Sequence, residues 1–153
     1  MRSRLRLMTA AAGAALAVTT IGYGIEAARA EGERVAPLGP GNVTIRLSIE
    51  HSVFDHEEIQ VVEGTRVRFV LDNGDPIGHE LIVGPESVHA RHQAGTHPSH
   101  PTIEGEVSVG PNAVSMTTYR FDGPGEVEFA CHLPGHYAFG MHGTIVVVPA
   151  AER

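Results

Sequence analysis

Cysteine occurs once in this chain of 153 residues, as Cys131, so no disulfide can form within it and no metal centre can be built on paired cysteines. Lysine is absent altogether, and eleven arginines carry all the fixed positive charge against eighteen acidic residues. The arginines form no cluster outside the first residues, which argues against nucleic acid or an anionic lipid surface as a partner. No window has the 3.6-residue period of an amphipathic helix, so a helical bundle is not expected. Internal repeats and a second domain are also missing.

The first thirty residues differ from the rest. Arg2, Arg4 and Arg6 precede an uncharged Leu7–Ile25 stretch rich in Ala, Gly and Thr, and Ala28-Arg29-Ala30 places small residues where a signal peptidase reads. This is the layout of a secretory signal cut before Glu31. An uncleaved membrane anchor is the alternative, but Ala, Gly and Thr give weak hydrophobicity. Removing residues 1–30 takes four of the eleven arginines and one of the eighteen acids, leaving a formal charge of −10. The expected product is an acidic, exported monomer, periplasmic or extracellular. A lone cysteine in such a setting is either an intermolecular bridge or a thiol with a task.

Residues 31–41 are polar and rich in Gly and Pro, a flexible lead-in. Residues 42–149 read as one domain of short strands. Val43, Ile45, Leu47 and Ile49 alternate with polar residues at the two-residue period of a half-buried strand. Further strand signal lies at Ile59–Val62, Val67–Leu71, His79–Val83, Val107–Val109, Met116–Phe121, Val127–Cys131 and Thr144–Val148, with turn chemistry at Asp72–Pro76 and Asp122–Gly125. Seven or eight strands with frequent turns predict an all-β, Greek-key antiparallel sandwich. Residues 84–112 lack periodicity and are read as a long excursion. His89, His92, His97 and His100 crowd it, and a solvated loop of biased composition is favoured there over a secondary metal-loading site. His51 and His56 are expected at the surface beside Phe54.

The chemistry concentrates in residues 131–143, where Cys131, His136 and Met141 form C-x4-H-x4-M within a loop containing Gly and Pro. Thiolate and thioether favour copper(I), imidazole suits copper(II) as well, and a trigonal His2Cys plane with a weak axial Met is the geometry of an electron-transfer copper. His79, at a strand entry after the Asp72–Pro76 turn, supplies the second imidazole if both strands end at one pole. Burial of Cys131 and Met141 as ordinary core residues does not explain three donor types evenly spaced in one loop. Structural zinc gains little from a thioether.

These segments resemble the cupredoxins, the type 1 blue-copper proteins. Phe54, Glu63-Gly64-Thr65, Asn73-x-Asp75 and His79 are similar to the family's amino-terminal half, and Tyr119–Val148 to its carboxy-terminal half. The x4/x4 ligand spacing is like that of rusticyanin and sulfocyanin. The resemblance implies one copper ion on His79, Cys131, His136 and Met141, electron transfer between redox protein partners of basic or mixed charge, and no enzymatic activity. Storage or delivery of copper outside the cytoplasm is the alternative. It also implies that His136 is the electron port, within an apolar patch drawn from Leu133, Pro134, Tyr137, Ala138 and Phe139. The sequence departs from the family at Glu80, where many members carry an Asn or Ser that ties the ligand loops together. His132 adjoins Cys131 as in some copper enzymes, but one such histidine in a single domain is weak support for that chemistry.

Overall fold

Alternation of apolar and polar side chains builds two sheets, and their apolar faces meet. The computed structural model describes residues 36–95, 99 and 101–151. The expected signal segment, and the start of the lead-in, lie outside the described residues, as do His97 and His100. In strand β1 (Asn42–Glu50), Ile45, Leu47 and Ile49 point inward. β2 (Val53–Phe54) follows, then β3 (Glu58–Val62) and β4 (Thr65–Asn73), where Val67, Phe69 and Leu71 are wholly buried. β5 (His79–Gly84) is buried along its whole length, as befits a strand covered on both faces. β6 (Glu106–Val109), β7 (Val114–Phe121), β8 (Gly125–Ala130) and β9 (His142–Val148) complete the order.

One sheet runs β2-β1-β4-β7 and the other β3-β9-β8-β5-β6. The sandwich is as expected, with nine strands among the described residues where seven or eight were read from the sequence. Its sheets are mixed and not wholly antiparallel: β1 pairs parallel with β4, and β3 parallel with β9. Side-chain alternation is the same in both orientations, so periodicity cannot tell them apart. Ile45, Leu47, Phe69, Leu71, Leu81, Phe129 and Ile145 lie in the shared core, each worth about 1.5–3 kcal/mol when fully buried.

The 84–112 excursion contains an unexpected helix, α1 (Glu86–Gln93). It has no apolar stripe because the face it buries consists of His89 and His92. The solvated-loop expectation for these two histidines is therefore corrected: both are buried. Among the described residues no helix is long and apolar enough to cross a membrane.

Candidate metal centre

Two turns and two strand ends meet at one pole of the sandwich. Asn73, at the end of β4, donates through its side-chain amide to the carbonyls of Ile77 and Gly110, both at 2.8 Å, and accepts the N–H of Asp75 at 3.0 Å. This fixes the turn that leads into His79. Asp75 then accepts three donors: the amides of His51 and Ser52, each at 2.7 Å, and Nε2 of His79 at 3.0 Å. Burial pushes the Asp75 carboxyl up, but the donors from Ser52, His51 and His79 outweigh it and hold it below the usual range. With Nε2–H given to Asp75, the His79 ring presents Nδ1 to the pole. Burial holds its pKa below the usual histidine value, and the nearby His136 ring adds to this against the opposing pull of Asp75.

The carboxy-terminal loop brings the other donors. Cys131 follows β8 and is wholly buried. A short 3-10 turn at Tyr137–Phe139 ends on Gly140 at φ 95°, a left-handed conformation that glycine adopts without strain. The turn folds the loop back, so that Met141 N–H donates to the carbonyl of His136 at 3.1 Å and Cys131 N–H to that of Met141 at 3.0 Å. Met141 is wholly buried beneath the loop.

The structure thus brings His79, Cys131 and His136 together. Nδ1 of His136 lies 3.2 Å from Nδ1 of His79 and 3.3 Å from Sγ of Cys131, and among the described residues this trio forms a group whose donor atoms all lie within 4.8 Å of one another. A first-row ion with bonds of about 2.0 Å to nitrogen and 2.3 Å to sulfur needs donors at close to these separations. Burial pushes the Cys131 thiol up to about 11, with amide donors from Glu80 and Leu133 opposing it. A metal must therefore displace a proton to bind there. Two imidazoles and a thiolate, with a buried thioether on the same loop, match copper's mixed demand in its two oxidation states.

The family model for copper-binding proteins of the plastocyanin/azurin type matches residues 42–148. The chain belongs to that family. Copper is accordingly its metal, one ion at this pole. Copper-resistant cuproprotein CopI of Rubrivivax gelatinosus is 34% identical over 108 residues, 68% of this chain and 66% of that protein. The protein of the same name from Pseudomonas aeruginosa is 26% identical, covering 84% of this chain and 90% of its own length. The chain thus spans slightly less than two thirds of the Rubrivivax relative. Among solved structures, reduced auracyanin from Roseiflexus castenholzii superposes with a TM-score of 0.58 at 25% identity, over 72% of this chain and all of that one. Reduced rusticyanin superposes at 0.53 with 17% identity, over 75% of this chain and 87% of that one, a likeness of fold.

Glu80, which departs from the family's common Asn or Ser, still ties the two ligand segments. Its carboxylate is wholly buried and accepts the N–H of His132 at 2.9 Å. Sequence reasoning left this bond open because a longer acidic side chain gave no sign of which amide it would reach. It also missed Asp75 as the partner of His79. The signal was an acid four residues before a ligand histidine, since ligating imidazoles commonly donate their other N–H to a carboxylate.

The residues expected around His136 divide. Phe139 is 85% exposed, and Pro134 and Ala138 are also exposed, with Leu133 and His136 half-buried. Tyr137 turns away. Its ring stacks between His132 at 5.3 Å and His142 at 4.6 Å, and its hydroxyl donates to Glu128 at 2.7 Å. His51 is exposed and His56 partly so.

Proposed function

We propose that this chain is an exported carrier of single electrons and not an enzyme, with His79, Cys131 and His136 as the copper plane and Met141 as the axial donor. The observation that carries this reading is the trio: Nδ1 of His136 lies 3.2 and 3.3 Å from the other two donors, and all three lie within 4.8 Å of one another on rigidly held backbone. Copper supplies the one-electron couple. The protein's part is to keep the donors still: Asp75 fixes the His79 ring, Glu80 joins the His79 strand to the Cys131 segment, and the 3-10 turn sets His136 and Met141. A site that need not rearrange exchanges electrons with little reorganisation, and half-buried His136 beside exposed Phe139 offers the short path to a partner. The acidic product left after signal removal would steer a basic or mixed-charge redox protein onto a small transient interface. The protein acts as a monomer outside the cytoplasm.

A second reading, copper storage or delivery, is favoured by the relatives, which are named copper-resistant cuproproteins. Reversible cycling with a redox protein supports the carrier, whereas transfer of copper to an apo-acceptor without cycling supports delivery.

The decisive measurement is the visible spectrum of the copper(II)-loaded protein. An intense blue or green thiolate-to-copper band is expected, and Cys131→Ser abolishes it. A pale adduct refutes the assignment. Met141→Gln should retain copper and shift the reduction potential, and an unmoved potential removes Met141 from the axial position.

A further inference from the structure

On the other side of Cys131 lies a second group of potential ligands. Helix α1 directs His89 and His92 into the sandwich, and both are nearly inaccessible to solvent. His132, next in sequence to Cys131, points away from the copper pole, and its Nε2 lies 2.8 Å from Nδ1 of His89. Nε2 of His89 is 3.2 Å from the main-chain carbonyl of Glu128, to which it donates. That bond places the His89 hydrogen on Nε2 and leaves the Nδ1 lone pair aimed at His132. The carboxylate of Glu128 stands 3.7 Å from the same Nδ1.

This repeats the arrangement of the copper pole. There, too, a buried imidazole gives Nε2–H to a fixed oxygen and presents Nδ1 to a second ring, at 3.2 Å. Two imidazole nitrogens in such contact cannot both offer lone pairs across an empty gap. One proton or one cation must lie between them. Metal–nitrogen bonds of about 2.0 Å would span nitrogens 2.8 Å apart at roughly a right angle, and a tetrahedral angle requires them to part by only about 0.5 Å.

We propose that His89, His132 and Glu128 form a second metal site, for a divalent borderline ion such as zinc(II) or copper(II). Two imidazoles and a carboxylate, with no thiolate or thioether, suit such an ion. The carboxylate closes the site by a small shift of Oε2, the oxygen facing His89, while Oε1 keeps the Tyr137 hydroxyl at 2.7 Å; the Glu128 side chain is 33% exposed and provides the way in from solvent. His92 stands behind the pair, its ring 6.1 Å from that of His132, and is engaged by Glu106 at 2.8 Å. It supports the wall of the site and is not counted among the ligands. Because His132 directly follows Cys131, a dication here sits one residue from the copper thiolate.

The test is calorimetric titration of the copper-loaded protein with zinc(II), in a His97→Ala/His100→Ala background that removes the two histidines of the excursion that follow α1 in the sequence. One equivalent should bind. His89→Gln and Glu128→Gln should each weaken it by at least the roughly tenfold that loss of a supporting partner costs a metal site, with the thiolate band of the primary centre intact. No zinc uptake, or unchanged affinity in His89→Gln, overturns the proposal and leaves a proton shared between the rings. The dependence on His89, which has no place at the copper pole, keeps this outcome separate from the fate of the primary centre.

Discussion

The histidine clusters on the two sides of Cys131 are built on different kinds of support. At the copper pole, His79 and His136 are held by β-strand ends and tight turns, and each turn is pinned by its own polar network. On the other side, His89 and His92 ride on an eight-residue helix joined to the sandwich through the Glu106 carboxylate. His92 pairs with Glu106, and Arg91 hydrogen-bonds the same carboxylate. The first cluster is as rigid as the sheets, whereas the second is as rigid as the docking of one short helix. Electron transfer needs the former, while binding a cation tolerates the latter.

The largest expected separation between the two regions comes from Asp75→Ala. Asp75 serves more than His79. His51 and Ser52 have φ of 56° and 60°, left-handed conformations that non-glycine residues adopt at a cost of order 1–3 kcal/mol each. Asp75 accepts both of their amides and so offsets that strain. Removing it should cost about 3–5 kcal/mol, since three donors lose a charged acceptor at about 1.5–3 kcal/mol each and the losses overlap, and weaken copper binding by about 10–100-fold. Denaturant unfolding and competition with a copper chelator measure the two effects. A variant with unchanged copper affinity would mean that the carboxylate braces the turn and does nothing for the ring of His79.

Glu106→Gln probes the other region and should do less. Burial pushes the Glu106 carboxyl up, but His92 and Arg91 outweigh it and bring it below the usual range. A carboxyl lowered by folding contributes stability above its unfolded value of 4.5, and that contribution fades as the pH falls below it. The substitution should therefore cost about 1–3 kcal/mol at neutral pH, the penalty for leaving a buried partner unsatisfied. Most of that comes from buried His92, because Arg91 is half exposed and screened. The gap from the parent protein should narrow at pH 3, and the thiolate band should not change. Equal losses at both pH values would show that shape, and not charge, docks α1.

This contrast also explains what the sequence disclosed. The ligand loop was legible because its chemistry is local: Cys131, His136 and Met141 lie within eleven residues, and softness and spacing name one metal. The strands were legible from Ile45, Leu47 and Ile49 and their counterparts, since alternation reports which face is buried. Helix α1 was not, because its buried face is made of histidines, and a pattern search for apolar periodicity passes over such a helix. Its burial depends on Glu106 in one segment and on Glu128 and His132 in another, so no local rule brings them together with the helix. The parallel pairings of β1 with β4 and β3 with β9 were hidden for a similar reason: they are set by chain crossings and leave no trace in alternation.

The smallest expected effect on stability belongs to Phe139, yet it bears most directly on function. A phenylalanine left 85% exposed gains almost nothing from the fold, so Phe139→Ser should change unfolding free energy by no more than about 0.5 kcal/mol, as for an ordinary surface substitution. Its ring stands at the rim beside His136, and Gly135, at φ 88°, leaves only enough room for that ring: a Cβ there would meet the Phe139 edge at 3.3 Å. The glycine thus keeps the ring beside the port while most of it stays in water. If an electron leaves through His136, the partner must desolvate this rim. Phe139→Ser should then slow electron exchange with a redox partner several-fold while leaving the spectrum and reduction potential in place. Stopped-flow kinetics against cytochrome c, a basic one-electron acceptor, measures that rate. An unaltered rate would move the port away from His136, and the stacked rings of His132, Tyr137 and His142 would become the face to test next.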